Sequence, residues 1–174
     1  MHSHAPPPRS IAFAAVVSAG VPSAELYALA LDLQRLREVD SRLREANWSN
    51  HGPAVGAVAT VRTDIAFAQP WVQRMIGEQS GTVRLLELAP NKRIACLCEH
   101  DRGLAYLRVS FEGSKEHCTL HFSGWIRARQ AQAHNMMRLL SPLIVLLIEH
   151  CIQRSADRAC GYLRRQSTAL VTSP

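Results

Sequence analysis

No run of apolar residues in this sequence is long enough to cross a bilayer. The longest, PLIVLLI from Pro142 to Ile148, falls far short of the roughly 18 residues that a membrane-spanning helix requires. Aromatic residues make up only 6% of the chain, which argues against a stacking platform for single-stranded nucleic acid. No nucleophile elbow, P-loop or dinucleotide fingerprint is present, so no local motif announces a reaction. The opening MHSHAPPPRS lacks the apolar stretch of a signal peptide. Residues 1–9 therefore read as a disordered tail, as do residues 167–174. The chain carries 5 cysteines, an odd number without framework spacing, which predicts a reduced, cytoplasmic compartment rather than a disulfide scaffold.

Charge excludes less. The formal net charge is +6, and a basic balance permits contact with nucleic acid or an anionic membrane. The arginines are scattered, however, and acids interleave the densest stretch, Arg35 to Glu45 (RLREVDSRLRE). Without a uniform basic stripe, a solvated surface is the better reading and no nucleic-acid partner is expected.

What is present is an ordinary globular composition, with 47% apolar and 20% charged residues over 174 positions. That length suits one domain with a sizeable core. Ser10 to Ala19 is short, apolar and bounded by Gly20 and Pro22, as a buried strand would be. PSAELYALAL then has helical spacing, with Pro22 in the first turn and Glu25 at the positive helix end. Asp32 can cap a second short helix, LQRLREV. Leu43–Asn50 and Val55–Ile65 read as strands. The stretch from Ala66 to Ser80 has no clear period, carries Pro70 and Gly77, and reads as a long, lid-like loop. Four further strands follow: GTVRLLELAP, RIACLCEH, LAYLRVSFE and HCTLHFSGWIRAR. The turns between them hold the Gly, Pro, Asn or Asp that hairpins favour. A long amphipathic helix from about His134 to Gln166 closes the chain. Ser141-Pro142 either starts that helix or kinks one that began earlier.

Cys96, Cys98 and His100 invite a metal reading, and strand geometry opposes it. Residues two apart on a strand stand about 6.6–6.8 Å apart, whereas zinc–ligand bonds are about 2.0–2.3 Å. No metal and no cofactor are expected. An Arg102-Gly103 turn pairing Asp101 with Leu104 would put Tyr106 and Arg108 on the face of Leu97 and Glu99. Cys96, Cys98 and His100 would then share the inward face with Ala105, Leu107, Val109 and Phe111, the thiols acting as small hydrophobes. Trp125 is expected on the outer face of the sheet.

One strand, two short helices, about six strands and one long helix require a sheet that curls around the helix to bury both apolar faces. In that order, and in VPSAELYALALDLQRLREVD, ELAPNKRI and LIEHCIQRSADRACGYLRRQ, the chain resembles the START/Bet v-like (SRPBCC) superfamily. Within it the likeness is to the bacterial polyketide cyclase/dehydrase and lipid-transport group. It spans Ser10 to about Gln166, a single START-like ligand-binding domain. The resemblance implies an α+β helix-grip fold: a curved antiparallel sheet of about seven strands wrapped around the C-terminal helix, with an apolar cavity between them. Val39 stands where the group commonly has a Trp or Tyr.

The resemblance implies no single reaction, because this fold hosts carriers, binders and enzymes. The favoured expectation is a binding module for a small, mostly apolar lipid or polyketide-like ligand. Its walls should include Cys96, Cys98, Leu107, Val109, Phe111, Leu120, Phe122, Leu147, Cys151 and Ile152, with Trp48 beside them and Trp71 and Met75 near the mouth. The alternative is a polyketide cyclase or dehydratase in the same cavity, for which His100, Asp64, Arg62 and Tyr106 are the candidate acid–base groups. Leu139 to Ile148 is apolar nearly all round, which predicts an exposed surface for a second copy or a transient membrane contact. Coverage by the 66–80 loop is the alternative.

Overall fold

The computed structural model of the chain describes residues 6–49, 52–64, 78–113 and 117–171. Its elements run β1 (Ile11–Ala19), α1 (Ser23–Leu31), α2 (Leu33–Val39), β2 (Leu43–Trp48), β3 (Val58–Asp64), β4 (Glu78–Ala89), β5 (Arg93–His100), β6 (Gly103–Gly113), β7 (Cys118–Ala128), α3 (Ala131–Leu139) and α4 (Ser141–Val171). All seven strands form one antiparallel sheet in the order β1-β7-β6-β5-β4-β3-β2. This is the expected α+β architecture, a curved sheet gripping a long C-terminal helix.

Local chemistry accounts for the corners. The Asp32 carboxylate accepts from the backbone N–H groups of Gln34 and Arg35, both at 3.1 Å, and so caps α2. Asn91 adopts φ 56° between β4 and β5, a left-handed conformation that Asn tolerates. There Lys92 N–H closes the turn onto the Ala89 carbonyl at 2.9 Å.

The β5–β6 hairpin departs from expectation by an even step. Its turn residues are Asp101 and Arg102, and the observed pairs are His100 with Gly103 and Glu99 with Leu104. Side chains alternate along a strand, so a slip of one residue would have exchanged the faces. The two-residue slip leaves them unchanged. Cys96 and Cys98 still share a face with Leu107, Val109 and Phe111 in the main core. That core also takes Val17 and Ala19 from β1, Leu26 and Leu29 from α1, and Ala156, Cys160 and Leu163 from α4. On the outer face Tyr106 and Trp125 stack with ring centroids 6.0 Å apart, above Ala95.

Three segment boundaries differ from the sequence reading. Residues 78–80, assigned to a loop, belong to β4, where Gly81, Ser80 and Gln79 pair with Val61, Arg62 and Thr63. The terminal helix is two helices meeting at Leu140, and Pro142 occupies the first turn of the second. There the missing proline N–H costs nothing. Finally, α4 runs to Val171, and Ser167 and Thr168 donate their hydroxyls back to the carbonyls of Leu163 and Arg164. The chain is thus helical beyond Gln166, as far as Val171.

Candidate functional site

Between the sheet and α4 lies a cavity of about 330 Å³. Five elements make its walls. Strands β6 and β7 contribute Leu107, Val109, Phe111, Leu120 and Phe122. Helix α1 closes one side with Leu26, Leu29 and Ala30, and α2 adds Leu36. Helix α4 contributes Cys151, Ile152, Ser155, Ala156 and Ala159, the i, i+1, i+4, i+5, i+8 set that faces one way on a helix. The space exists because α4 presents small residues, Ser155, Ala156 and Ala159, to the concave sheet. Larger side chains there would fill it.

Ser155 supplies the one side-chain hydroxyl among the described residues of these walls. Its Oγ accepts a hydrogen bond from Arg42 Nη2 at 3.2 Å. The Arg42 guanidinium is held in turn by Asp40, to which its Nε donates at 2.8 and 3.1 Å. Arg158 reaches the same carboxylate at 3.4 Å. Hydrogen bonding from Arg42 holds the Asp40 carboxyl below its ordinary pKa, and Asp40 pushes Arg42 further up. Two guanidinium groups therefore share one carboxylate behind the polar spot of the cavity. Sequence reading missed Asp40, Arg42 and Ser155, because they come together only when the α2–β2 corner docks on α4.

Of the expected wall residues, Leu107, Val109, Phe111, Leu120, Phe122, Cys151 and Ile152 line this cavity. Four others stand elsewhere. Leu147 is 55% exposed. At 1.5 Å per residue α4 is about 46 Å long and α1 only about 14 Å, and the α4 residues that share the cavity with α1 run from Cys151 to Ala159, beyond Leu147. Trp48 packs at the rim of the core, where its indole Nε1–H donates to the Leu31 carbonyl at 3.2 Å. That bond ties it to the end of α1 and away from the cavity. Cys96 and Cys98 belong to the same core face but pack beyond the cavity walls. Sharing a hydrogen bond with Cys98, and then burial, push the Cys96 thiol far up, so it stays protonated. Trp71 and Met75 lie outside the described residues.

The four candidate acid–base groups are not brought together among the described residues. Tyr106 sits on the outer face against Trp125. Arg62 is half exposed and 3.6 Å from Glu45 on the neighbouring strand. His100 keeps to the strand end, where its Nδ1 accepts from the Arg102 backbone N–H at 3.1 Å. Burial, then the nearby Arg102 charge, lower its pKa, so it is neutral at pH 7. The side chain of Asp64 lies outside the described residues. No group of three or more His, Cys, Asp or Glu side chains could hold a metal ion among the described residues. No described helix is long and apolar enough to cross a membrane.

No family model and no curated protein matches the chain. Solved structures do. An aromatase/cyclase, Zhui, from a Streptomyces species superposes with a TM-score of 0.68 at 13% identity, covering 91% of this chain and 96% of that one. A START superfamily protein from Mycobacterium smegmatis gives a TM-score of 0.69 at 9% identity, covering 89% of this chain and 98% of that one. Identities this low speak to fold: the chain has the helix-grip fold of START-like proteins.

Proposed function

We propose that this chain binds a small, mostly apolar molecule, lipid-like or polyketide-like, in the cavity between its START-like sheet and α4. The observation that carries this reading is the cavity itself. Its volume of about 330 Å³ lies at the lower end of the roughly 300–1,000 Å³ of ligand sites. Burying an apolar ligand there gains about 25 cal/mol per Å² removed from water. The single hydroxyl supplies orientation. Ser155 Oγ already accepts from Arg42, so its own hydrogen is left to donate. The matching ligand presents one acceptor, a carbonyl or carboxylate oxygen, on an otherwise apolar body.

The cyclase or dehydratase alternative requires a general acid or base within hydrogen-bond reach of the substrate. Tyr106, Arg62 and His100 all lie outside the cavity walls, which favours a carrier over a catalyst. Native mass spectrometry of protein from several expression hosts tests the proposal, followed by titration with a long-chain alkane, methyl ketone and fatty carboxylate. Co-purified small molecules, or tighter binding of the ketone and carboxylate than of the alkane, are expected. A chain that is always empty and takes none of the three probes refutes it.

A further inference from the structure

The first turns of α4, together with α3, carry an apolar surface that the described residues leave exposed; residues 65–77 of the loop expected as an alternative cover lie outside them. Met136, Leu139 and Leu140 are 56%, 82% and 43% exposed, and Leu143, Leu146 and Leu147 are 54%, 62% and 55% exposed. The two triplets repeat the same i, i+3, i+4 spacing seven residues apart. On a surface helix that spacing ordinarily marks the side turned to the core; here it faces outward. Clustered exposed apolar side chains of this kind mark interaction sites.

The charge around the patch selects its occupant. From His117 to Ile148 the sequence contains Arg127, Arg129 and Arg138 and no Asp or Glu; Glu149 follows, in the same surface depression as Arg138 and Leu146, so the arginines outnumber the acid at this corner. Arg138 lies within α3 and is exposed, and Arg127 is exposed at the end of β7, against which α3 packs. Arg129 pairs with Glu99. A second copy seated on this patch would bring Arg127 and Arg138 of both copies to one interface. A coiled-coil seam would also need three or four heptads, and this stripe has two. A bilayer with anionic headgroups meets both features at once, since leucines enter the acyl boundary while arginines meet phosphate. We propose that the α3–α4 corner docks reversibly on an anionic membrane surface, with Leu143, Leu146 and Leu147 inserted and Arg127 and Arg138 on the headgroups. Cys151, one turn beyond Leu147, lines the cavity, so this docking would bring the cavity close to the bilayer. The docking itself does not depend on what the cavity holds.

Vesicle flotation of the full chain tests this, with vesicles of phosphatidylcholine alone and of phosphatidylcholine mixed with phosphatidylserine. Binding to the mixed vesicles that weakens with added salt is expected. Leu143→Ser with Leu146→Ser, and separately Arg138→Glu, should each weaken it roughly tenfold or more with unchanged thermal stability. Should the double variant unfold, Arg138→Glu still decides, because that side chain is exposed and fills no core. Absence of flotation with either vesicle overturns the proposal. Light scattering that shows a dimer, lost in the double variant, would then assign the surface to a second copy. Flotation that Arg138→Glu leaves unchanged overturns the assigned orientation.

Discussion

Ala156→Leu is the perturbation that most directly questions the cavity. Ala156 is 6% exposed and lines the space between α4 and the sheet. Leucine adds three carbons, and the cavity of about 330 Å³ has room for them. At about 0.8 kcal/mol per buried carbon, less about 0.5–1 kcal/mol of side-chain entropy, the variant should gain about 1.5 kcal/mol. Leucine is a good helix former, so α4 itself loses little. For a chain of this size the gain corresponds to a rise in Tm of roughly 3–6 °C. The same side chain occupies ligand space, so the retained small molecule, or affinity for a fatty carboxylate probe, should fall. Calorimetry and native mass spectrometry on one preparation read both effects. A well-packed core gives the opposite sign, because overpacking costs about 1–3 kcal/mol. A destabilised variant with unchanged ligand content would refute the cavity and the binding proposal resting on it.

Ser155→Ala should weaken a ketone or carboxylate probe by roughly fivefold, the worth of one hydrogen bond of about 1 kcal/mol, and leave an alkane unaffected; equal losses for all three would remove Ser155 from the ligand. Asp40→Asn should lower stability by about 1 kcal/mol near neutral pH, as expected of a partly exposed ion pair. Because Asp40's folded pKa is depressed, its contribution is present above the unfolded value of about 3.9 and disappears as pH falls through the folded one. The wild-type advantage in urea melts should therefore shrink in acid, and a gap that widens there would contradict the assignment. Trp48→Phe removes the bond to the Leu31 carbonyl and should cost about 1 kcal/mol without changing ligand binding, since that ring is outside the cavity walls.

Period and order in the sequence were enough for the architecture. Alternating apolar residues in β5 to β7 can bury only one face, and a long amphipathic helix after a meander has only the concave side of the sheet to occupy. Even the misplaced turn at Asp101-Arg102 left the faces intact, because a strand repeats every two residues. For the same reason seven expected wall residues line the cavity: Leu107, Val109 and Phe111 on one strand, Leu120 and Phe122 on the next, Cys151 and Ile152 on the helix. The exposed leucines before Ile148 were also legible, since a gripped helix hides one side and that segment is apolar on all sides.

What the sequence could not state is which elements pack together and what distances close across the fold. Leu147 falls on the same helical stripe as Cys151. Both are exposed, and only the packing of α1, β6 and β7 around the middle of α4 makes Cys151 a cavity wall and leaves Leu147 outside it. Trp48 could have faced the cavity until the end of α1 offered its indole a carbonyl. The Asp40–Arg42–Ser155–Arg158 cluster joins residues more than a hundred positions apart, a juxtaposition no spacing rule encodes. Its polarity comes from hydrogen bonds that form only when the α2–β2 corner packs on α4.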